Sequence, residues 1–210
     1  MATILASMLV GYLLGSIPSG VWLGRAFKGI DVREHGSKSI GATNVFRVLG
    51  AKMGIAVLII DIGKGFFACL IASRINFGDT LLTVNQLAII GGLMAVFGHL
   101  FPAFARFRGG KGVATGAGIL LFLAPLEIAF ALIVFAATLL LTRYVSLGSI
   151  MAVVFFSSVI LIEKYHFGYP LGNEMTGLAF VIFFLIIISH RANIRRLLQG
   201  KENKLGAKAR

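Results

Sequence analysis

Three stretches of this chain combine glycine with hydroxyl, amide and basic side chains. They are Gly36-Ser-Lys-Ser-Ile-Gly-Ala-Thr-Asn44 followed by Arg47, then Gly98-His99 with Phe107-Arg-Gly-Gly-Lys-Gly-Val-Ala-Thr115, and finally His190-Arg-Ala-Asn193. Glycine lets backbone amides approach an oxyanion, hydroxyls and amides donate hydrogen bonds, and Lys or Arg supplies charge. The set suits a phosphate. Ser146 and Ser149 add two hydroxyls on one helical face, a spacing that serves either a phosphate site or bonding to the helix's own carbonyls. Lys111 stands between glycines at a helix start, where a cation opposes the helix dipole; that cost argues for an anionic partner.

Other chemistries find little support. Gly109-Gly-Lys-Gly lacks the Ser or Thr that follows the lysine of a Walker A loop, and Ala105 stands where its first glycine would be. No histidine is followed at the fifth position by Asp, so the His-x4-Asp dyad of soluble-type glycerolipid acyltransferases is absent. No His-Glu-x-x-His occurs, and the acids near the three stretches are only Asp31, Glu34 and Glu202, so no catalytic metal is expected. Cys69 is the single cysteine, which excludes an intrachain disulfide.

The elements that must carry these residues are apolar. The 210 residues are 58% hydrophobic and 13% charged, against about 25% charged in an ordinary soluble domain. With a mean hydropathy of +0.92, this composition predicts an all-α, polytopic membrane protein forming a single integral-membrane domain over 1–210. A net charge of +12 in so apolar a chain points to an anionic membrane face or anionic substrates, not nucleic acid. Arg25 is the first basic residue, so the opening apolar run lacks the positive start of a secretory signal and reads as a retained span.

Six apolar runs stand out, at about 2–23, 53–75, 81–104, 113–141, 147–162 and 176–189. Basic residues collect in cytoplasmic connections. Six lie between Arg25 and Lys52, three at Arg106, Arg108 and Lys111, one at Arg143 and seven from Arg191 onward, while the connections at 76–80 and 163–173 are acidic or nearly neutral. If the basic segments share one face, the run at 113–141 must cross twice. Pro125 is the natural break, the alternative being one long helix kinked there. The count becomes a seven-transmembrane-helix bundle, N-terminus outside and C-terminus cytoplasmic.

Several residues admit a structural reading as well. Asp61 and Lys64 lie three apart within an apolar span, where ionisable groups are costly, and mutual pairing is the favoured role. Glu202, the sole acid of the basic tail, is expected to clamp an arginine. Arg47 suits either the site or a positive-inside anchor. Arg106 and Arg108 read as snorkelling anchors, with Arg108 equally open to a site role. His99 either joins the site or locks a helix to the second stretch. The glycines of the spans, Gly11, Gly15, Gly20 and Gly24 among them, read first as sites of close helix packing.

Taken together, the stretches resemble the bacterial acyl-phosphate:glycerol-3-phosphate acyltransferases, the PlsY family. The matching residues are Gly15-Ser-Ile-Pro-Ser-Gly20, Gly41-Ala-Thr-Asn44 with Arg47, Asp61 with Lys64-Gly65, Gly98-His-Leu-Phe-Pro102, Phe107 to Thr115, Arg143-Tyr-Val-Ser-Leu147 with Ser149, and His190 with Asn193. One departure occurs: where that family usually has Gly-Ser-Gly-Asn, this chain has Gly36-Ser37-Lys38-Ser39. The resemblance implies transfer of a fatty acyl group from acyl phosphate to the sn-1 hydroxyl of glycerol 3-phosphate. The products would be lysophosphatidic acid and phosphate, in the first acylation step of phospholipid synthesis. It implies no cofactor and no metal, a membrane-lipid setting, and a multi-pass protein of the bacterial inner membrane whose active site faces the cytoplasm. By the same resemblance His190, Asn193 and Ser37 are catalytic, and Arg47, Asn44, Gly109, Gly110, Lys111, Gly112, Ser146 and Ser149 bind substrate. His190 either removes the hydroxyl proton or binds while a substrate phosphate does so.

Without the resemblance, the same inventory also fits a transporter or channel for a phosphorylated anion, or less well a lipid-binding scaffold. Against transport stands asymmetry, since the polar groups gather at one face and no inverted repeat is visible.

Overall fold

A computed structural model describes residues 1–206, and among them the regular structure is entirely helical. Lys208 and Arg210, the last of the basic tail residues, lie outside the described residues. The described chain divides into two compact units, Met1–Leu123 and 124–206.

The first unit carries α1 (Ala2–Gly15), α2 (Ser19–Lys28), α3 (Ala42–Leu49), α4 (Ala51–Ala72), α5 (Val84–Leu100) and α6 (Val113–Leu123). Pro18, with no amide proton to donate, separates α1 from α2. α2 stops at Gly29, whose φ of 66° lets its amide bond the Arg25 carbonyl while the Ile30 amide reaches Gly24. That left-handed closure turns the chain abruptly into the first polar loop. The loop is fastened below by a core of Val21, Val32, Ile40, Val45 and Val57, which joins α2, α3 and α4. Thr83 and Gln86 close a reciprocal capping box at the start of α5.

Small residues let these helices touch, as expected for Gly11 and Gly15. A Cβ at Gly11 would lie 2.1 Å from the Gly91 carbonyl oxygen, and one at Gly15 would lie 2.0 Å from that of Ala95, so α1 and α5 meet backbone to backbone. α4 and α6 do the same at Gly65 and Gly118, where an added Cβ would lie 2.0 Å from the carbonyl oxygens of Thr115 and Ile62.

The second unit holds α7 (Pro125–Thr142), α8 (Val145–Tyr165), α9 (Asn173–Ser189) and α10 (Arg191–Leu198). The run at 113–141 divides where the proline predicts: Ala124 leaves helical geometry at φ −145° and ψ 64°, and Pro125 takes the first position of α7, where its missing amide is not needed. α7 turns into α8 through Arg143 and Tyr144. α8 packs on α9, where the Ser157 hydroxyl donates to the Ala179 carbonyl at 3.3 Å; Phe156, Ile160, Leu178 and Ile182 of these helices are buried. α9 and α10 are bent by 59° at His190.

By length and composition, five stretches are able to cross a membrane: Ala2–Lys28, Ala51–Ala72, Val84–Ala105, Pro125–Thr142 and Val145–Tyr165. The bent α9–α10 pair makes a sixth if counted as one span, and α6 is apolar but only 11 residues long.

Candidate active site

The first loop of the first unit is folded around two side chains. Asp31 accepts the Arg33 amide at 3.0 Å and the Arg33 guanidinium at 2.9 and 2.6 Å, and Arg25 adds a bond of 3.0 Å. Hydrogen bonding from Arg33 holds the Asp31 carboxyl well below the usual carboxylate range, against the opposing effect of partial burial. Arg33 also donates to the Ala105 carbonyl at 2.7 Å, which ties this loop to the segment leading to Gly109. Asn44, buried at the start of α3, is the second organiser. Its amide nitrogen donates to the carbonyls of Val32, His35 and Ser39, and its oxygen accepts the Ser37 amide at 2.8 Å. Its polar atoms are thus directed into the loop. Ser37 itself is exposed at the loop crest, and Arg47, one helical turn beyond Asn44, is half-buried. Lys38 adopts φ 59°, a left-handed conformation ordinarily left to glycine.

The glycine stretch runs from the end of α5 to the start of α6. The Gly110 amide donates to the His99 carbonyl at 3.0 Å, and a Cβ at Gly109 would lie 2.1 Å from that same oxygen. Gly112, at φ 79°, turns the chain into α6. Lys111 is half-buried between them, while Arg106 and Arg108 are exposed, as anchors would be. Thr115, in the first turn of α6, is fully buried and its hydroxyl has no hydrogen-bond partner.

Beneath this stretch lies a buried polar network. Lys64 bonds Asp61 at 2.9 Å, so the predicted pair forms, and Asp61 also accepts from Ser19 at 2.7 Å. Lys64 further reaches the Ile17 carbonyl at 3.2 Å and His99 Nδ1 at 2.7 Å. Asp61, Lys64 and His99 are no more than 4% exposed. Of the two expectations for His99, the helix-to-loop lock is the one this geometry matches.

In the second unit, Glu202 gathers the polar residues. One carboxylate oxygen accepts from Ser146 at 2.9 Å and Asn193 at 2.6 Å, and the other from Arg196 at 2.7 Å. The expected clamp on an arginine is present; the bonds to Ser146 and Asn193 were not anticipated. The tail returns to α8 by main-chain pairing as well, the Leu205 amide bonding the Arg143 carbonyl at 2.7 Å. Ser149 directs its hydroxyl to the Val145 carbonyl at 3.0 Å, the second of the two roles open to it. His190 is buried, with Nδ1 2.9 Å from the Ile186 carbonyl. A carbonyl only accepts, which assigns a proton to Nδ1. The structure therefore groups Ser37, Asn44 and Arg47 on one loop and helix and Gly109 to Gly112 on a second; in the other unit it gathers Ser146 and Asn193 on Glu202, with His190 at the α9–α10 bend.

A family model for glycerol-3-phosphate acyltransferase matches residues 5–200. The chain belongs to the glycerol-3-phosphate acyltransferase family. It is 46% identical over 197 residues to a glycerol-3-phosphate acyltransferase of Fusobacterium nucleatum, covering 94% of this chain and 95% of the relative. It is 42% identical over 212 residues to one of Salinibacter ruber, covering 95% and 91%. A crystal structure of PlsY, an integral membrane glycerol 3-phosphate acyltransferase, in its glycerol 3-phosphate form matches with a TM-score of 0.83 at 40% identity. It covers 97% of this chain and 96% of that one. The lysophosphatidic acid form matches with a TM-score of 0.81 at 39% identity, covering 97% and 95%. This glycerol-3-phosphate acyltransferase family member is accordingly an integral membrane acyltransferase, and its apolar helices are its membrane-embedded part.

Proposed function

We propose that this enzyme transfers a fatty acyl group from acyl phosphate to the sn-1 hydroxyl of glycerol 3-phosphate, releasing lysophosphatidic acid and inorganic phosphate. Acyl phosphate is a mixed anhydride, so its phosphate is already a good leaving group and neither a serine nucleophile nor a metal is required. The glycerol oxygen attacks the acyl carbon and forms the new ester bond. The carbon–oxygen bond to phosphate breaks, and phosphate leaves with its electron pair. The hydroxyl proton passes to His190 Nε2 or to the substrate's own phosphate, the two routes that the pH profile of His190→Ala separates. Ser37, Arg47, Lys111 and Asn193 hold phosphate oxygens, and Gly109, Gly110 and Gly112 let the main chain approach them. Within the first unit Asn44 holds the Ser37 amide, and within the second Ser146 shares the Glu202 carboxylate with Asn193.

The observation that carries the donor assignment is Lys111, half-buried in a turn of glycines at the head of α6. Acyl-CoA and acyl carrier protein bring a pantetheine arm and a bulky carrier, for which the short loops offer no broad entrance. An acyl phosphate instead leaves its chain among lipid tails and presents only a small anionic head. The reading includes a bacterial inner-membrane location and a site facing the cytoplasm. Its test is product formation by purified enzyme without added metal. Turnover with acyl phosphate and little or none with acyl-CoA is expected, and Lys111→Met is expected to lower it by about 100-fold or more, while exposed Lys201→Met stays near wild type. Equal use of acyl-CoA overturns the donor, and anion flux without acyl transfer would make the protein a transporter.

A further inference from the structure

We propose that His99 is a positioning residue for the Gly109–Gly112 turn, and that the buried Asp61–Lys64 pair exists to hold its ring in one orientation and one tautomer. The proposal rests on reading that turn as a phosphate-binding one. An ion pair placed in an apolar span carries a heavy desolvation cost. A pair needed only for helix packing would be complete with its two members. Here Lys64 has a third partner, His99 Nδ1 at 2.7 Å. A lysine ammonium has protons to donate and no lone pair, so Nδ1 accepts and the ring proton sits on Nε2.

The Nε2 edge is turned to Gly110. A Cβ at Gly110 would lie 2.2 Å from Nε2, 3.0 Å from Cε1 and 3.1 Å from Cδ2. The same histidine accepts the Gly110 amide on its main-chain oxygen at 3.0 Å. His99 therefore holds one glycine of the turn by backbone and by ring, immediately before Lys111. Asp61 is fixed in turn by Ser19 of α2 at 2.7 Å. A chain of polar contacts thus runs from α2 through α4 and α5 to the turn, and the height at which the turn sits above the end of α5 is set by the ring. An ordinary pair of helix-packing residues would leave the turn free to settle elsewhere.

Amide substitutions separate the two edges of the ring. His99→Asn keeps an oxygen near Nδ1 for Lys64 but does not reach Gly110, whereas His99→Gln extends an amide to the Nε2 position. Full-length enzyme reconstituted in lipid is assayed with acyl phosphate while glycerol 3-phosphate is varied. His99→Asn is expected to raise KM for glycerol 3-phosphate about tenfold with kcat changed less than about threefold, and His99→Gln to return KM to within about threefold of wild type. Equal KM values in the two variants, or a wild-type KM in His99→Asn, would show that the ring merely satisfies Lys64 and overturn the proposal. Gly110→Ala, in a turn outside the helices, tests the same contact should the His99 variants fail to fold: about a tenfold rise in KM supports the proposal, and an unchanged KM ends it. Lys111→Met is the discriminating control. If it binds and turns over glycerol 3-phosphate like wild type, the phosphate reading of the turn is wrong; if it is impaired while His99→Asn and Gly110→Ala are not, only the role of His99 falls.

Discussion

Glu202 receives hydrogen bonds from Ser146, Asn193 and Arg196, the first of them 56 positions away. Burial alone would raise its pKa, but those bonds favour the ionised form and outweigh it, so the carboxyl is held below its ordinary 4.5. A depressed folded pKa contributes stability that is present above the unfolded value and disappears as pH falls through the folded one. Glu202→Gln is therefore expected to lower stability by roughly 1.5–3 kcal/mol at pH 7, the range of hydrogen bonds to charged groups. The gap from wild type should close as pH drops below about 4.5. Unfolding in detergent at pH 7, 5 and 4 checks this; a constant gap would mean that the charge is not the source. Asp61 pairing with Lys64 was readable because three residues on a helix face one another. The bonds of Glu202 to Ser146 and of Lys64 to His99 were not, since they join positions 56 and 35 apart. Lys38 was equally opaque. Its left-handed φ of 59° costs about 1–2 kcal/mol in a residue with a Cβ, and sequence alone does not say whether a loop bends or strains to accommodate a replaced glycine.

At the scale of helices, two glycines two positions apart in α6, on nearly opposite faces, behave oppositely. Gly116 has open space around a notional Cβ, whereas one at Gly118 would lie 2.0 Å from the Ile62 carbonyl oxygen and 2.9 Å from the Phe66 amide nitrogen. Gly116→Ala is expected to be neutral or to stabilise by up to about 1 kcal/mol through helix propensity. Gly118→Ala should cost about 1–3 kcal/mol or more, because backbone of α4 must move and no flexible side chain can yield. Detergent melting of the two variants gives the comparison, and equal midpoints would refute close packing of α4 on α6. The division of the apolar run at Pro125 was legible, since the charge count required that run to cross twice and a proline without an amide proton supplied the break. The interruption after α1 was masked by its surroundings: Ser16, Pro18 and Ser19 sit inside a run from 2 to 23 that is apolar enough to read as one span, and the bonding geometry around Pro18 reveals two helices.

For the whole molecule, the seven-span topology is the largest consequence drawn from charge placement. Reporters fused after Gly78 and near Asn173 are expected to lie outside, and those after Lys38 and Arg108 inside. A fusion beside Glu127 decides the matter: outside supports two crossings between Val113 and Leu141, and inside reduces the count to six or moves the C-terminus. Composition made the membrane setting plain, but helix lengths came only with the structure, and α6 is the element whose length matters most. Its 11 residues extend about 17 Å, roughly half of a hydrocarbon layer about 30 Å thick. In the seven-span arrangement this creates hydrophobic mismatch, which lipids relieve by thinning around the enzyme at a fraction of a kcal/mol per Å. Thinning draws headgroups and water down to the depth of the head of α6, where the proposed phosphate-binding turn lies. Bilayer thickness then becomes a control on rate. Turnover in vesicles of increasing acyl length is expected to fall as the membrane grows too thick to dimple, and a rate indifferent to thickness would show that α6 does not set that depth.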